Sequence, residues 1–239
     1  MYFGSDGARA KGWLELDGVK YYCDKTTGLR LTGIQNLGTK TYLFSDGGKL
    51  QTNVWKKDST GKRYFGETGA MVKGWLTYEG DEYFLDKSTG YALLGVQPVG
   101  TKTYLFSSTT GKLLKNTWKI DDGGRRYFGK YGSMVTGWLT FNGDRYYLDK
   151  STGYALTGIQ KIGKKTYLLS GSGKLQTNVW KNDGTGYRYF GKYGTMVTGW
   201  LKLSGHTFYL DPSTGYRAVG KVKIDGKTYT FTKGGILKS

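Results

Sequence analysis

The chain carries four Gly-Trp dipeptides at nearly constant spacing, and this spacing constrains the fold more than any other feature. The dipeptides begin at residues 12, 74, 137 and 199, so the steps between them are 62, 63 and 62 residues. A period this regular is typical of a repeat architecture. We therefore expect function to lie on surfaces that many similar units present together, rather than in one unique pocket.

Each long period divides into three shorter units of 20 to 22 residues, here called A, B and C. The first A unit is residues 12–32, the first B unit 33–53 and the first C unit 54–73. The resulting three-unit super-repeats are 12–73, 74–136 and 137–198, followed by terminal units in 199–239. Residues 2–11 match the second half of a C unit, so the chain begins inside a repeat and is expected to be part of a longer protein. We predict a single repeat domain over residues 1–239.

Every unit has the pattern of a β-hairpin. A short run such as 75–78 leads into a Gly-containing turn, and an aromatic run such as 83–85 follows. Aromatic and β-branched runs bounded by Gly, Asp and Asn indicate strands and tight turns. The 40 glycines suit this many reversals, and no long apolar segment has a helical period. The sequence therefore predicts an all-β protein of stacked hairpins, each about 21 residues long.

One aromatic position is filled in nearly every unit. Because a lone two-stranded hairpin is barely stable in water, stacked hairpins must bury an aromatic face against each other. We interpret this position, the tyrosine column, as that core. It consists of Tyr21, Tyr42, Tyr64, Tyr83, Tyr104, Tyr127, Tyr146, Tyr167, Tyr189, Phe208 and Tyr229.

The residues that most often carry catalysis fall at ordinary repeat positions. Cys23 stands where the other A units have leucine, which predicts a small buried hydrophobe, and His206 stands in a variable turn. One cysteine and one histidine make a Cys/His metal site improbable. The aspartates at 24, 86, 149 and 211 precede Thr-Gly turns and are expected to bond backbone N–H groups. We expect no catalytic residue, metal or cofactor, and hence no enzyme.

Units such as GWLTFNGDRYYLDKSTGYALTG (137–158) resemble the cell-wall-binding repeats of Gram-positive surface proteins. That family includes choline-binding modules, the glucan-binding repeats of glucansucrases and the carbohydrate-binding repeats of clostridial toxins. The resemblance covers essentially the whole chain. It implies a β-solenoid with about three hairpins per superhelical turn. It also implies a secreted or cell-wall-associated module that attaches a protein to a glycan surface.

One position separates this chain from the choline-binding branch of the family. Choline-binding repeats typically have a tryptophan before the aromatic pair of the second strand, and it forms part of a cage for quaternary ammonium. Here no unit has an aromatic residue at that position, and the A units have Lys20, Glu82, Arg145 and Thr207. The pattern therefore favours glucan-type and toxin-type repeats. A choline-binding module that recognises phosphocholine-decorated teichoic acid remains the alternative.

All seven tryptophans lie in A and C units, which predicts an aromatic groove for sugars. Flat apolar rings with polar rims match the faces and edges of sugar rings. We expect the indoles to pair where a C unit meets the next A unit, with arginines bonding hydroxyls and tyrosines 91, 154 and 216 as outer walls. The predicted ligand-binding residues are Trp55, Trp75, Trp118, Trp138, Trp180, Trp200, Tyr83, Tyr146, Met134, Met196, Arg126 and Arg188. Equivalent weak sites would act together on a repeating polymer.

The net charge of +18 is concentrated away from the tryptophans. The four B units carry +12 of it, and their densest cluster is Lys161, Lys164, Lys165 and Lys174. This cluster is interpreted either as a solvated face or as a surface that binds polyanions such as teichoic acid. Nucleic acid is disfavoured because single-strand binding needs charge and stacking rings in one groove.

Together these features predict a non-catalytic, extracellular carbohydrate-binding or cell-wall-binding module. Its expected partners are a glucan-like or wall polysaccharide and an attached catalytic or adhesive domain outside this sequence, without membrane insertion. A passive structural spacer is a further alternative.

Overall fold

A computed structural model describes residues 7–238, and these residues form 22 strands arranged as eleven two-stranded antiparallel hairpins. The half unit predicted at 2–11 falls largely outside the described residues. No segment of residues 7–238 is helical, so none is a helix long and apolar enough to cross a bilayer. The prediction of an all-β fold of stacked hairpins is confirmed.

The chain divides into two compact units, each a series of hairpins. The first comprises Met1–Asn116 with Phe128–Ser133, and the second comprises Thr117–Tyr127 with Met134–Ser239. This division leaves the single domain over 1–239 a prediction. The strands up to residue 116 are β1 (Gly12–Leu16), β2 (Val19–Cys23), β3 (Gly33–Leu37), β4 (Lys40–Phe44), β5 (Val54–Lys57), β6 (Lys62–Phe65), β7 (Gly74–Tyr78), β8 (Asp81–Leu85), β9 (Gly95–Val99) and β10 (Lys102–Phe106). The remaining strands are β11 (Thr117–Asp121), β12 (Gly124–Phe128), β13 (Gly137–Phe141), β14 (Asp144–Leu148), β15 (Gly158–Ile162), β16 (Lys165–Leu169), β17 (Val179–Asn182), β18 (Tyr187–Phe190), β19 (Gly199–Leu203), β20 (His206–Leu210), β21 (Gly220–Ile224) and β22 (Lys227–Phe231).

Two-residue turns set the register of the A and B hairpins. In the third A unit, Asn142 and Gly143 both have positive φ, at 51° and 81°, as a type I′ turn requires. In the third B unit only the first turn residue, Gly163, has positive φ, which fits type II′. Both turns match the right-handed twist of the strands, so each Gly-Trp tryptophan faces the second aromatic of its own second strand. Trp138, for example, pairs with Tyr147.

Within each compact unit, successive hairpins pack on one another through a short tail that follows the second strand. In the first B unit, Leu50 bridges to Phe44 of its own hairpin, and its N–H donates to the carbonyl of Lys20 in the preceding A unit at 2.8 Å. Met71 N–H donates in the same way to the carbonyl of Thr41 at 2.7 Å. A tail therefore serves as a third strand for the hairpin before it.

The core runs along the ends of the second strands. The last residue of every second strand is at most 2% exposed, and Cys23 occupies this position in the first A unit, as predicted for a small hydrophobe. The tyrosine column is buried in A and C units, as the sequence predicts. In B units it is half-buried instead. These half-buried members are Tyr42, Tyr104, Tyr167 and Tyr229.

Candidate functional site

The tryptophans of the A units lie on the surface, each against the column tyrosine of the following B unit. Trp75 is 47% exposed, and its ring contacts Phe84 at 5.2 Å and Tyr104 at 5.1 Å between centroids, both edge-on. The two contacts hold the indole in one orientation while leaving part of its ring open to solvent. We call this arrangement the A–B aromatic surface, namely the A tryptophan, the aromatic opposite it and the next B tyrosine.

The same surface occurs four times, and the A tryptophan is exposed in three of them. Trp13 and Trp200 are 48% and 44% exposed, and each lies 5.0 Å from its B tyrosine. Trp138 also lies 5.0 Å from its B tyrosine but is half-buried. The guanidinium carbon of Arg145 lies 4.5 Å from the Trp138 ring centroid and covers that ring by a cation–π contact. Three indoles are therefore open, and the fourth is covered by a charge.

Polar side chains surround the exposed indoles. A pocket of about 480 Å³ beside Trp13 is lined also by Glu15, Lys20 and Tyr42. A pocket of about 610 Å³ beside Trp75 includes Asp86, Lys87 and Gln97. An apolar ring face with hydrogen-bonding groups at its rim is the combination that fixes a sugar or another flat polyhydroxylated ligand.

The tryptophans of the C units pack differently, at a site we call the C–A junction. Trp55 contacts the column tyrosines Tyr64 and Tyr83 at 5.1 and 5.0 Å, and Tyr78 of the next A unit closes the cluster at 6.0 Å. Trp118 has the same surroundings, with Phe141 as the closing ring at 5.9 Å. The C tryptophans therefore belong mainly to the packing between units.

This arrangement corrects the predicted indole pairs. Among residues 7–238, no ring contact joins Trp55 to Trp75, and the same is true of the pairs Trp118 with Trp138 and Trp180 with Trp200. The C indole faces the column tyrosine of the next A unit, whereas the A indole faces the following B unit. The exposed aromatic surface thus lies where A meets B, and not where C meets A.

Two predicted ligand residues are part of the core. Tyr83 and Tyr146 are 4% and 3% exposed. Burial is the main cause that raises the pKa of Tyr83 above its ordinary value. A ligand in solvent has no access to these rings, so the structure gives them a packing role.

The predicted methionines also support packing. A Cβ added at Gly215 would lie 2.5 Å from the sulfur of Met196, so the methionine fills the space above that glycine. Met134 occupies the same place over Gly153. Both side chains thus pack on the loop of the next A unit, where an adaptable thioether suits an irregular gap.

Arg126 and Arg188 each have an intramolecular carboxylate partner. Arg126 Nη2 lies 2.5 Å from Asp121 Oδ2, and the Tyr154 hydroxyl donates to Asp121 Oδ1 at 2.7 Å. The hydrogen bond from Tyr154 is the main cause that lowers the pKa of Asp121, and the Arg126 guanidinium adds to it. The Tyr154 ring also lies 4.6 Å from the guanidinium carbon of Arg126.

The same triad is present in the other two C units. Arg188 pairs with Asp183, which also accepts a hydrogen bond from Tyr216 at 3.0 Å. The third triad consists of Arg63, Asp58 and Tyr91. The triads fasten each C unit to the following A loop, so these arginines and tyrosines are held by each other instead of facing a ligand.

The recurring loop aspartates form the turns predicted for them. Asp86 Oδ1 accepts hydrogen bonds from the backbone N–H and hydroxyl groups of Ser88 and Thr89, at 2.6 to 3.0 Å. The pKa of Asp86 is lowered well below its ordinary value, mainly by the Ser88 hydroxyl. Within residues 7–238, no three His, Cys, Asp or Glu side chains are grouped so that they could hold a metal ion.

The predicted basic cluster is only partly free. Lys161, Lys164 and Lys165 are exposed, with Lys164 in the turn and Lys165 at the start of β16. Lys174 instead makes an ion pair with Asp144 of the preceding A unit at 2.6 Å. The structure therefore reduces the candidate polyanion surface of this unit to three lysines.

Sequence reasoning missed the B tyrosines as surface residues. Tyr42, Tyr104, Tyr167 and Tyr229 share their position with the buried tyrosines of the A and C units, so the column alone gives no sign of their exposure. Only contacts with neighbouring units distinguish them: each B tyrosine lies against the tryptophan of the preceding A unit, as Tyr104 does against Trp75 at 5.1 Å between ring centroids.

Two segments of the chain, residues 136–155 and 198–213, match the family model described as a cell wall binding repeat. Each segment contains an A tryptophan and both strands of its hairpin. The chain carries cell-wall-binding repeats. The predicted resemblance is thereby confirmed.

The known proteins with similar repeats include several from streptococci. Glucosyltransferase-S of Streptococcus mutans is 30% identical over 218 residues, which cover 87% of this chain and 15% of that protein. The structure of CbpJ from Streptococcus pneumoniae has 25% identity and a TM-score of 0.76, over 99% of this chain and 96% of that chain. Choline binding protein F of Streptococcus pneumoniae, solved in the presence of a peptidoglycan analogue, has 28% identity and a TM-score of 0.72, over 96% and 93% of the two chains. The cell-wall-binding repeats of this chain thus span only a small part of the glucosyltransferase.

Proposed function

We propose that this chain is a non-catalytic module that holds a glycan on its A–B aromatic surfaces. The observation that supports this most directly is the exposure of Trp13, Trp75 and Trp200, each held edge-on by a B tyrosine. An exposed indole in a fixed orientation can stack on a sugar ring with little loss of conformational entropy. Repetition along the chain would add avidity on a polymer.

The similar proteins support a polysaccharide as the ligand. One relative is named a glucosyltransferase, and choline binding protein F was solved with a tetrasaccharide-pentapeptide. Because the chain spans 15% of that glucosyltransferase, we assign it the role of a targeting part that keeps an attached domain on a glucan or cell-wall glycan. This role places it outside the cell, secreted or associated with a cell wall.

Choline is the second candidate because choline-binding proteins share the fold. A quaternary ammonium cage needs several ring faces around one cation. On the A–B aromatic surface, the residue before the aromatic pair is charged or small and polar, as Lys20 and Thr207 are. At Trp138 an arginine already covers the indole. These observations favour an uncharged sugar over choline.

The basic B units offer a second contact for the same wall. Lys161, Lys164 and Lys165 are exposed, so they are available to an anionic polymer such as teichoic acid. Such a contact would be electrostatic and would weaken with salt, whereas stacking on indoles would not. The two contacts can therefore be separated by ionic strength.

Site-resolved NMR of the indole N–H signals tests the proposal. Titration with an isomalto-oligosaccharide should shift the signals of Trp13, Trp75 and Trp200, while those of Trp55 and Trp180 stay in place. Choline, added at matched ionic strength, should leave all of them unmoved. Shifts confined to C tryptophans, or a response to choline alone, would reject the assignment.

A pair of variants separates specific stacking from general exposure. Trp75→Ala should abolish binding at one site and leave the others intact. Tyr187→Ala removes a ring that is 40% exposed and lies against Arg217 at a C–A junction, and it should change nothing at the A–B aromatic surfaces. Equal loss in both variants would mean that exposed aromatics bind the sugar without a defined site.

A further inference from the structure

Each of the three C–A junctions holds a positive charge of the protein against its aromatic rings. Lys62 Nζ lies 4.0 Å from the Trp55 centroid and 4.5 Å from the Tyr83 centroid. At the second junction the Arg125 guanidinium carbon lies 4.2 Å from Trp118. Each cation stands at the distance at which an ammonium group is attracted to a ring face.

At the third junction the cation comes from a different position in the sequence. Tyr187 takes the place of Lys62 and Arg125, and the cation is Arg217, whose guanidinium carbon lies 4.5 Å from Tyr187 and 5.4 Å from Trp180. Arg217 occupies the tail position that is Ala92 at the first junction.

The two positions are direct neighbours in the fold. Ala92 N–H donates to the Lys62 carbonyl at 2.9 Å, and Arg217 N–H donates to the Tyr187 carbonyl at 2.8 Å. The basic residue therefore stands at one of these two positions in the first junction and at the other in the third. Both arrangements keep a cation at the junction. Packing alone would not require this exchange, because a tyrosine with an alanine could also fill the space.

The rings, and not carboxylates, hold these charges. Lys62, Arg125 and Arg217 take part in none of the ion pairs found within residues 7–238. Burial lowers the pKa of Lys62, and the positive charge of Lys112 lowers it further, while Asp81 acts in the opposite direction. The ammonium group thus lies in a partly dry aromatic site.

We infer that Lys62, Arg125 and Arg217 are built-in occupants of aromatic cages, which they close against external quaternary ammonium ligands. The cages themselves keep the ring geometry that such a ligand needs, since Trp55 and Tyr83 lie 5.0 Å apart at an angle of 58°. The protein's own cation supplies the attraction that a ligand would otherwise supply, and it fastens the C unit to the next A unit. This inference does not depend on glycan binding at the A–B aromatic surfaces.

Removal of the internal cation should open the cage. Lys62→Ala should acquire saturable choline binding, reported by the indole N–H signal of Trp55. The choline concentration at half-saturation should be at least about tenfold lower than in the unaltered protein. The control is Lys57→Ala, which removes an exposed lysine directly opposite Lys62 on the same hairpin and should gain nothing. Sodium chloride replaces choline chloride in the reference titration.

Two further variants make the outcome decisive. Arg125→Ala should open the second cage in the same way, reported by Trp118, so that failure of one variant to fold leaves the other to decide. Lys62→Tyr combined with Ala92→Arg reproduces the third junction and should stay closed. If the alanine variants are folded by circular dichroism and neither responds to choline, or if Lys57→Ala responds equally, the inference is wrong.

Discussion

The loop glycines that lie on methionines offer a quantitative test of how the units pack. Gly90 has a φ of +76°, and a Cβ built there would lie 2.5 Å from the sulfur and 2.8 Å from the terminal methyl of Met71. Gly90→Ala therefore combines two costs: a left-handed conformation for a residue with a Cβ, and a clash with a side chain that joins adjacent units. The change leaves every hydrogen-bonding group in place.

The two costs can be separated with a second glycine. Gly80 has a φ of +81°, and a Cβ at that position meets nothing within 4 Å. Gly80→Ala should cost only the conformational part, about 1–2 kcal/mol of unfolding free energy. Gly90→Ala should cost about 1 kcal/mol more, at the low end of overpacking costs, because the end of the Met71 side chain can move aside.

The assay is equilibrium unfolding in guanidinium chloride, followed by circular dichroism and tryptophan fluorescence. Gly90→Ala should shift the midpoint further down than Gly80→Ala. The double variant Gly90→Ala with Met71→Ala should lose less unfolding free energy than the two single variants lose in sum. The truncated side chain at position 71 makes room for the new Cβ. Equal midpoints for the two glycine variants would refute the claim that Met71 packs tightly on this loop.

Three further predictions concern the aromatic, acidic and basic groups. Arg145→Ala should uncover Trp138 and strengthen sugar binding at that indole about two- to fivefold, measured from its NMR signal, since an exposed cation–π contact is worth roughly 0.5–1 kcal/mol. A hydrogen bond from Tyr91 lowers the pKa of Asp58 to about 2, and one from Ser213 lowers that of Asp211 to about 2. The stability that these carboxylates contribute should therefore be complete above about pH 4 and be lost toward about pH 2. Unfolding midpoints that stay constant over this range would contradict the prediction. Lys164→Ala should reduce the salt dependence of binding to anionic wall polymer without affecting a short neutral sugar, as a salt series on both ligands can show.

The fold could be predicted because each local signal repeats many times. A single Asn-Gly turn such as Asn142-Gly143 is weak evidence, but similar turns at regular spacing between aromatic runs leave few alternatives to stacked hairpins. The core position of Cys23 followed from the same alignment. Repetition thus made the average unit easy to predict.

The candidate site was harder because it depends on what distinguishes one unit from another. Trp55 and Trp75 occupy equivalent positions, yet one is covered by Tyr78 and Lys62 and the other is exposed. Tyr78 comes from the next A unit and Lys62 from the second strand of the same hairpin, and an alignment of units shows neither contact. The commitment of Arg126 to Asp121 escaped prediction because it is a side-chain contact within the C hairpin, which Tyr154 of the next A unit completes.

The tail contacts have a consequence for the way the chain can acquire its structure. Within each compact unit, hairpins receive their third strand from residues about thirty positions further on, as Lys20 does from Leu50 and Thr207 from Leu237. Such short separations mean low contact order, which favours fast folding. A hairpin can therefore be completed as soon as the next unit has emerged from the ribosome or from an export channel, so the array is able to form progressively from its first unit onward without waiting for the whole chain.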